Sequence, residues 1–132
     1  MTEEIKAFPT GPYLAAALIC ERVLTERDGV HSLMRIVDKT IVQSAGPDRP
    51  EAMPPLRHQF WLFLAFKSGE ARGPETVKVT LTKPDGLTDQ NPVVEQDVNF
   101  EGGVRGANLV VEMHIEFKSP GPYWFSVFIG DN

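Results

Sequence analysis

The stretch His58 to Phe66, HQFWLFLAF, decides how this chain folds. From Phe60 to Phe66 it is unbroken apolar sequence, far short of the roughly 20 residues a membrane-spanning helix needs. Prolines precede it and Ser68-Gly69 follows it. A short apolar run between breakers reads as a strand buried on both faces or as a short buried helix, and its aromatic content favours the strand. Phe60, Leu62, Leu64 and Phe66 then point one way, and Trp61, Phe63 and Ala65 the other.

Working outward, the flanking segments alternate as strands do. Glu75 to Lys83 sets Val77, Val79 and Leu81 against Thr76, Lys78, Thr80 and Thr82, and Pro84-Asp85-Gly86 closes it as a turn. Val93 to Glu101 is a less regular strand. Asn108 to Lys118 is the clearest of all: Leu109, Val111, Met113, Ile115 and Phe117 face in, while Glu112, His114, Glu116 and Lys118 face out. After Ser119-Pro120-Gly121-Pro122, the segment Tyr123 to Ile129 returns with Tyr123, Phe125, Val127 and Ile129 on one side.

Toward the N-terminus, Ser44 to Leu56 holds Pro47, Pro50, Pro54 and Pro55 and reads as a surface loop. Tyr13 to Thr25 and Val30 to Gln43 read as a β-hairpin around Arg27-Asp28-Gly29. The alanines Ala15 to Ala17 favour helix on propensity alone, and the turn signal with its matching apolar run outweighs them. Residues 1–12 form a lead-in broken by Pro9, Gly11 and Pro12, and residues 13–132 form a single domain.

The 132 residues suffice for one proper core, and 42% hydrophobic with 23% charged residues is ordinary for a globular chain. The net charge of -5 argues against nucleic acid, and no basic stripe with interleaved aromatics exists. Cys20 is the lone cysteine, so no intrachain disulfide forms, which fits a reducing compartment. The apolar run Leu14–Cys20 lacks the basic start and small-residue cleavage site of a signal peptide. The expectation is a cytoplasmic protein that engages no membrane.

About seven strands, spaced by turn signals every ten or so residues, point to an all-β fold. The expected form is a two-sheet antiparallel, immunoglobulin-like β-sandwich. The ending PGPYWFSVFIGDN has the form of a Pro-Gly turn feeding a strand whose aromatics pack between sheets.

ALICERVLTERDGVHSLMRIVDKTIV resembles the opening of a family of small bacterial proteins carried as a domain of unknown function. Ala17, Leu18, Cys20, Glu21, Asp28-Gly29, Ser32-Leu33 and Asp38 match its layout. PETVKVTLTKPDG and NLVVEMHIEFKSPGPYWFSVFIGDN are also similar to it, so the resemblance covers nearly the whole chain after residue 12. Members tend to carry Gly where this chain has Arg35, and often continue past the final Asp-Gly turn into one more short strand. The resemblance implies an immunoglobulin-like sandwich, no recognised enzymatic activity and no cofactor.

The residues themselves offer no catalytic constellation. Cys20 lies on an apolar strand face, where cysteine behaves as a small hydrophobe. No serine sits in a G-x-S-x-G elbow. His31, His58 and His114 lack metal-ligand spacing. Asp28, Asp48, Asp85 and Asp89 could line loops that hold calcium, but acidic turn residues ordinarily cap turns. Gly102-Gly103 lacks the lysine and helix of a phosphate loop.

The aromatics are more informative. With Phe60 and Phe125 turned to the core, Trp61, Phe63, Trp124 and Phe128 point outward, and the segments 58–67, 108–118 and 123–129 are expected to be neighbours. A face formed by Trp61, Phe63, His114, Trp124 and Phe128 has the composition of an interface core. The expectation is a non-catalytic module that binds a protein partner or itself, a dimer first, without cofactor or metal. The alternative is a small-ligand module, for instance one stacking a carbohydrate on Trp61 or Trp124.

Overall fold

The computed structural model describes residues 11–39, 41 and 54–130. Five antiparallel strands make one hydrogen-bonded sheet: β1 (Tyr13–Thr25), β2 (His31–Ile36), β3 (Leu56–Thr82), β4 (Val94–Phe117) and β5 (Trp124–Ile129). Their order is β2-β1-β3-β4, with β5 also paired to β3. The described residues contain no helix, so the alanine-rich Leu14–Cys20 is strand as expected. The expected lead-in up to Thr10, strand residues Val42 and Gln43, and loop residues 44–53 lie outside the described residues.

The strand count differs from the expected seven. Segments 58–67 and 75–83 are one strand, β3, and segments 93–101 and 108–118 are one strand, β4. Ser68-Gly69 and Gly73-Pro74 looked like strand terminators, yet the ladder runs through them with register shifts between Lys67 and Gly69 and between Gly69 and Arg72. Gly69 stands opposite Gly103, with φ of 58° and 65°, a region costly to any residue with a Cβ. Such bulges bend a β-ribbon without ending it.

The bend replaces the two expected sheets by one sheet doubled on itself. Phe66 and Phe100 touch edge to face with ring centroids 6.0 Å apart, although Phe100 pairs with Gly73, further along β3. The core lies between the facing halves: Phe60, Leu62, Leu64 and Phe66 from the first half of β3, and Val77 and Val79 from its second. β4 adds Val94, Val98, Phe100, Leu109 and Met113. Alternate residues of β3 are buried from Phe60 to Phe66, which settles the inward face of the apolar stretch. β1 lies along the first half of β3, and β5 along the second.

The β1–β2 hairpin has the expected turn: Val30 N–H donates to Asp28 Oδ1 at 3.1 Å and Gly29 N–H to Glu26 O at 3.0 Å. Its ladder skips the pair Glu21 and Arg35, where Arg35 adopts a φ of 56°. Arg35 is thus at a left-handed position of the kind glycine favours, matching the glycine expected there from the family resemblance. From there toward its turn the hairpin folds back. His31 pairs with Thr25, seven residues past Leu18 on β1, yet its ring lies 5.8 Å from Phe63, the partner of Leu18. A straight hairpin would hold them about 23 Å apart.

Candidate interaction surface

β5 sits at an edge among the described strands, pairing with β3 alone. Its inner side chains Phe125, Val127 and Ile129 are half-buried and pack on the core. Its outer ones are Trp124, Ser126 and Phe128, with Trp124 67% and Phe128 42% exposed. The direction of the backbone groups follows from the ladder. Gly130 N–H donates to Thr76 O at 2.8 Å, while Val79 O accepts from Val93 N–H on the other side of β3. Antiparallel pairs alternate between bonded and non-bonded. Thr82–Trp124, Thr80–Ser126 and Lys78–Phe128 are therefore the bonded pairs, and the N–H and C=O groups of Phe125, Val127 and Ile129 point away from β3.

The other open edges differ in charge. Among the described strands β4 pairs only with β3, and along it stand Glu95, Asp97, Glu101, Arg105, Glu112 and Glu116. Charged side chains on an edge oppose the addition of a further strand. β2 is short and contains Arg35 with its left-handed backbone. From Tyr123 to Ile129 no residue is charged. Among the described residues β5 therefore presents backbone groups without a partner strand, two exposed aromatics and no charge.

The five residues expected to share one face do not meet. The segment 123–129 does not neighbour 58–67 as expected; it pairs with Val77–Thr82, because the bend carries that half of β3 to the opposite layer. Trp61, Phe63 and His114 occupy the outer face of the layer containing β1. Trp124 and Phe128 occupy the outer face of the other layer. Trp61 and Phe63 are half-buried, with the folded-back hairpin lying over Phe63 through His31. His114 is exposed, its Nε2 3.4 Å from Glu112 Oε1, and Glu112 accepts a hydrogen bond from Gln59.

The remaining candidates are placed apart. Cys20 is fully buried opposite Trp61, its thiol donating to Arg22 O at 3.4 Å. Burial pushes its pKa up, which disfavours the reactive thiolate. His31 packs on Phe63, and His58 stacks on Phe60 at 5.7 Å. Asp28 and Asp85 each accept a backbone N–H in a turn, and Asp89 pairs with Lys83 at 3.0 Å. Asp48 lies outside the described residues. Among the described residues no His, Cys, Asp or Glu cluster could hold a metal ion.

A crevice of about 270 Å³ opens between β4 and the loop after β3, lined by Lys83, Asp89, His114, Glu116, Lys118 and Tyr123 among others. Neither tryptophan lines it. Its polar groups are largely engaged locally: Lys83 with Asp89, His114 with Glu112, and Tyr123 Oη donating to Ser119 O at 2.6 Å.

Phe125, Val127 and Ile129 were legible only as core residues. The uncharged run Tyr123–Ile129 was the available signal for an open edge, but its meaning depends on which strand lies beside it. Nothing in the spacing of His31 pointed to Phe63.

A family model described as a family of unknown function, DUF6941, matches residues 15–132. No curated protein matches the chain, and no solved structure does.

Proposed function

The chain belongs to that family of unknown function, and we propose that it is a non-catalytic protein-interaction module that docks an extended strand along β5. One observation carries this: β5 is an uncharged edge strand whose outer face holds Trp124 at 67% and Phe128 at 42% exposure. Strand addition would satisfy the free backbone groups of Phe125, Val127 and Ile129 while the two aromatics cover the incoming side chains.

The reading includes an immunoglobulin-like, two-layered sandwich, supported by the contacts across the doubled sheet, and a bacterial cytoplasmic setting. The setting rests on the resemblance and on the lone cysteine. No helix among the described residues is long and apolar enough to cross a membrane. A carbohydrate stacked on tryptophan has less support, because the crevice contains neither Trp61 nor Trp124.

The test is site-specific photocrosslinking in cells, with a benzophenone amino acid replacing Trp124 and, as control, Glu95 on the charged edge. Covalent adducts from position 124 and not from 95 are expected. No adduct at 124, or equal yields at both, would overturn the reading.

A further inference from the structure

We infer that the strand docked on β5 is β5 of a second copy, paired antiparallel about a two-fold axis through Ser126. The inference rests on the reading of β5 as a docking edge and names its occupant. An added strand lies beside Phe125, Val127 and Ile129 on the core side and beside Trp124, Ser126 and Phe128 on the outer side. A matching strand is uncharged, apolar on both faces and about six residues long. β5 has that composition itself. Of the three edges left open among the described strands, it is the one that holds no charged side chain.

The register follows from two conditions. Outward-pointing backbone groups must meet outward-pointing ones, so Phe125, Val127 and Ile129 pair among themselves or with Tyr123. The outer face reads aromatic, small, aromatic, and this order is its own complement when reversed. With Ser126 on the axis, Trp124 stands opposite Phe128 of the second copy, twice, and Phe125 stands opposite Val127. Cross-strand aromatic pairs are favourable, and both exposed rings become covered. Centring on Val127 instead sets Trp124 against Gly130 and leaves its ring uncovered. The contact is self-complementary and closes as a dimer, since each edge is used once.

On the axis, Ser126 forms a non-bonded pair with its own copy, with Cα atoms about 4.5 Å apart, inside the separation a disulfide bridges. The test is Ser126→Cys in the full chain under mild oxidation, with Gln96→Cys on β4 as control. The native Cys20 is buried in both. Covalent dimer is expected about 100-fold faster from Ser126→Cys, because assembly replaces a thiol concentration of about 10 μM by an effective one of about 1 mM. Light scattering of the unmodified protein up to about 100 μM should show a mass rising to the dimer, and Ser126→Arg should stay monomeric by setting two cations on the axis. Equal crosslinking rates, or a monomer throughout, overturn the inference. If Trp124 adducts then contain other proteins, β5 remains a docking edge with a different occupant. If position 124 gives no adduct either, both readings fall.

Discussion

The ring of Phe60 meets the ring of Phe125 edge to face, with centroids 6.0 Å apart. Phe125 stands opposite Leu81, and residues 60 and 81 belong to the same strand, β3. Laid straight, that length of strand spans about 70 Å. The contact therefore exists because β3 doubles back at its glycines, and it closes one end of the core. Phe60→Ala should cost about 3–5 kcal/mol and the less buried Phe125→Ala about 2–3 kcal/mol. A double-mutant cycle by urea denaturation should give a coupling of about 0.5–1.5 kcal/mol. Additive losses would show that the two layers are held together elsewhere.

Ser68 is fully buried at this bend, and its hydroxyl finds no partner among the described residues. A buried, unpaired hydroxyl costs about 1–3 kcal/mol. Ser68→Ala removes it with little change of volume, so the urea midpoint should rise by the equivalent of about 1 kcal/mol with an unchanged slope. A destabilised variant would reveal a hydrogen bond that the described residues do not supply.

Among the described residues Arg35 is the non-glycine residue with a left-handed backbone, and its Nε lies 2.8 Å from Glu21 Oε2 at the surface. An exposed ion pair contributes about 0–1 kcal/mol, while left-handed backbone costs about 1–2 kcal/mol in a residue with a Cβ. Arg35→Gly should raise stability by about 0.5–1 kcal/mol, and Arg35→Ala, which keeps the strain and loses the pair, should lower it. Thermal melts of the two variants separate these outcomes. The reverse ranking would mean that the Glu21 pair outweighs the strain.

Cys20 is buried, and burial raises its thiol pKa. The folded state therefore holds the proton more tightly than the unfolded chain. That stabilisation is fully present below the ordinary thiol pKa of about 8.5, and it is lost as pH rises through the raised folded value. Stability should fall at alkaline pH, and Cys20→Val should remove part of that decline. At pH 8 a thiol reagent should label the folded protein at least about tenfold more slowly than the urea-unfolded chain, because access requires opening. Equal rates would place Cys20 at the surface.

Much of the fold was determined by the sequence alone. Period-2 patterning in Asn108–Lys118, and the aromatic content of the apolar run between its breakers, made these segments strand, whereas the inward face of the run, with Phe60, Leu62, Leu64 and Phe66 buried, was decided by the structure. The two turns at Asp28-Gly29 and Pro84-Asp85-Gly86 were equally legible, because each rests on local side-chain and backbone bonds. What the glycines at 69, 73, 102 and 103 would do was not local. With Gly69 opposite Gly103 and register shifts on either side of Gly69 they bend the ladder, whereas alone each would end a strand, and only pairing of β3 with β4 decides between the two. That bend sets Trp124 and Phe128 on a different layer from Trp61 and Phe63, and the return of the hairpin covers Phe63 with His31. A sequence specifies which residues share a face of one strand. Which strands lie side by side, and which edge stays open, is fixed by long-range pairing, so the surface at β5 is a property of the tertiary structure.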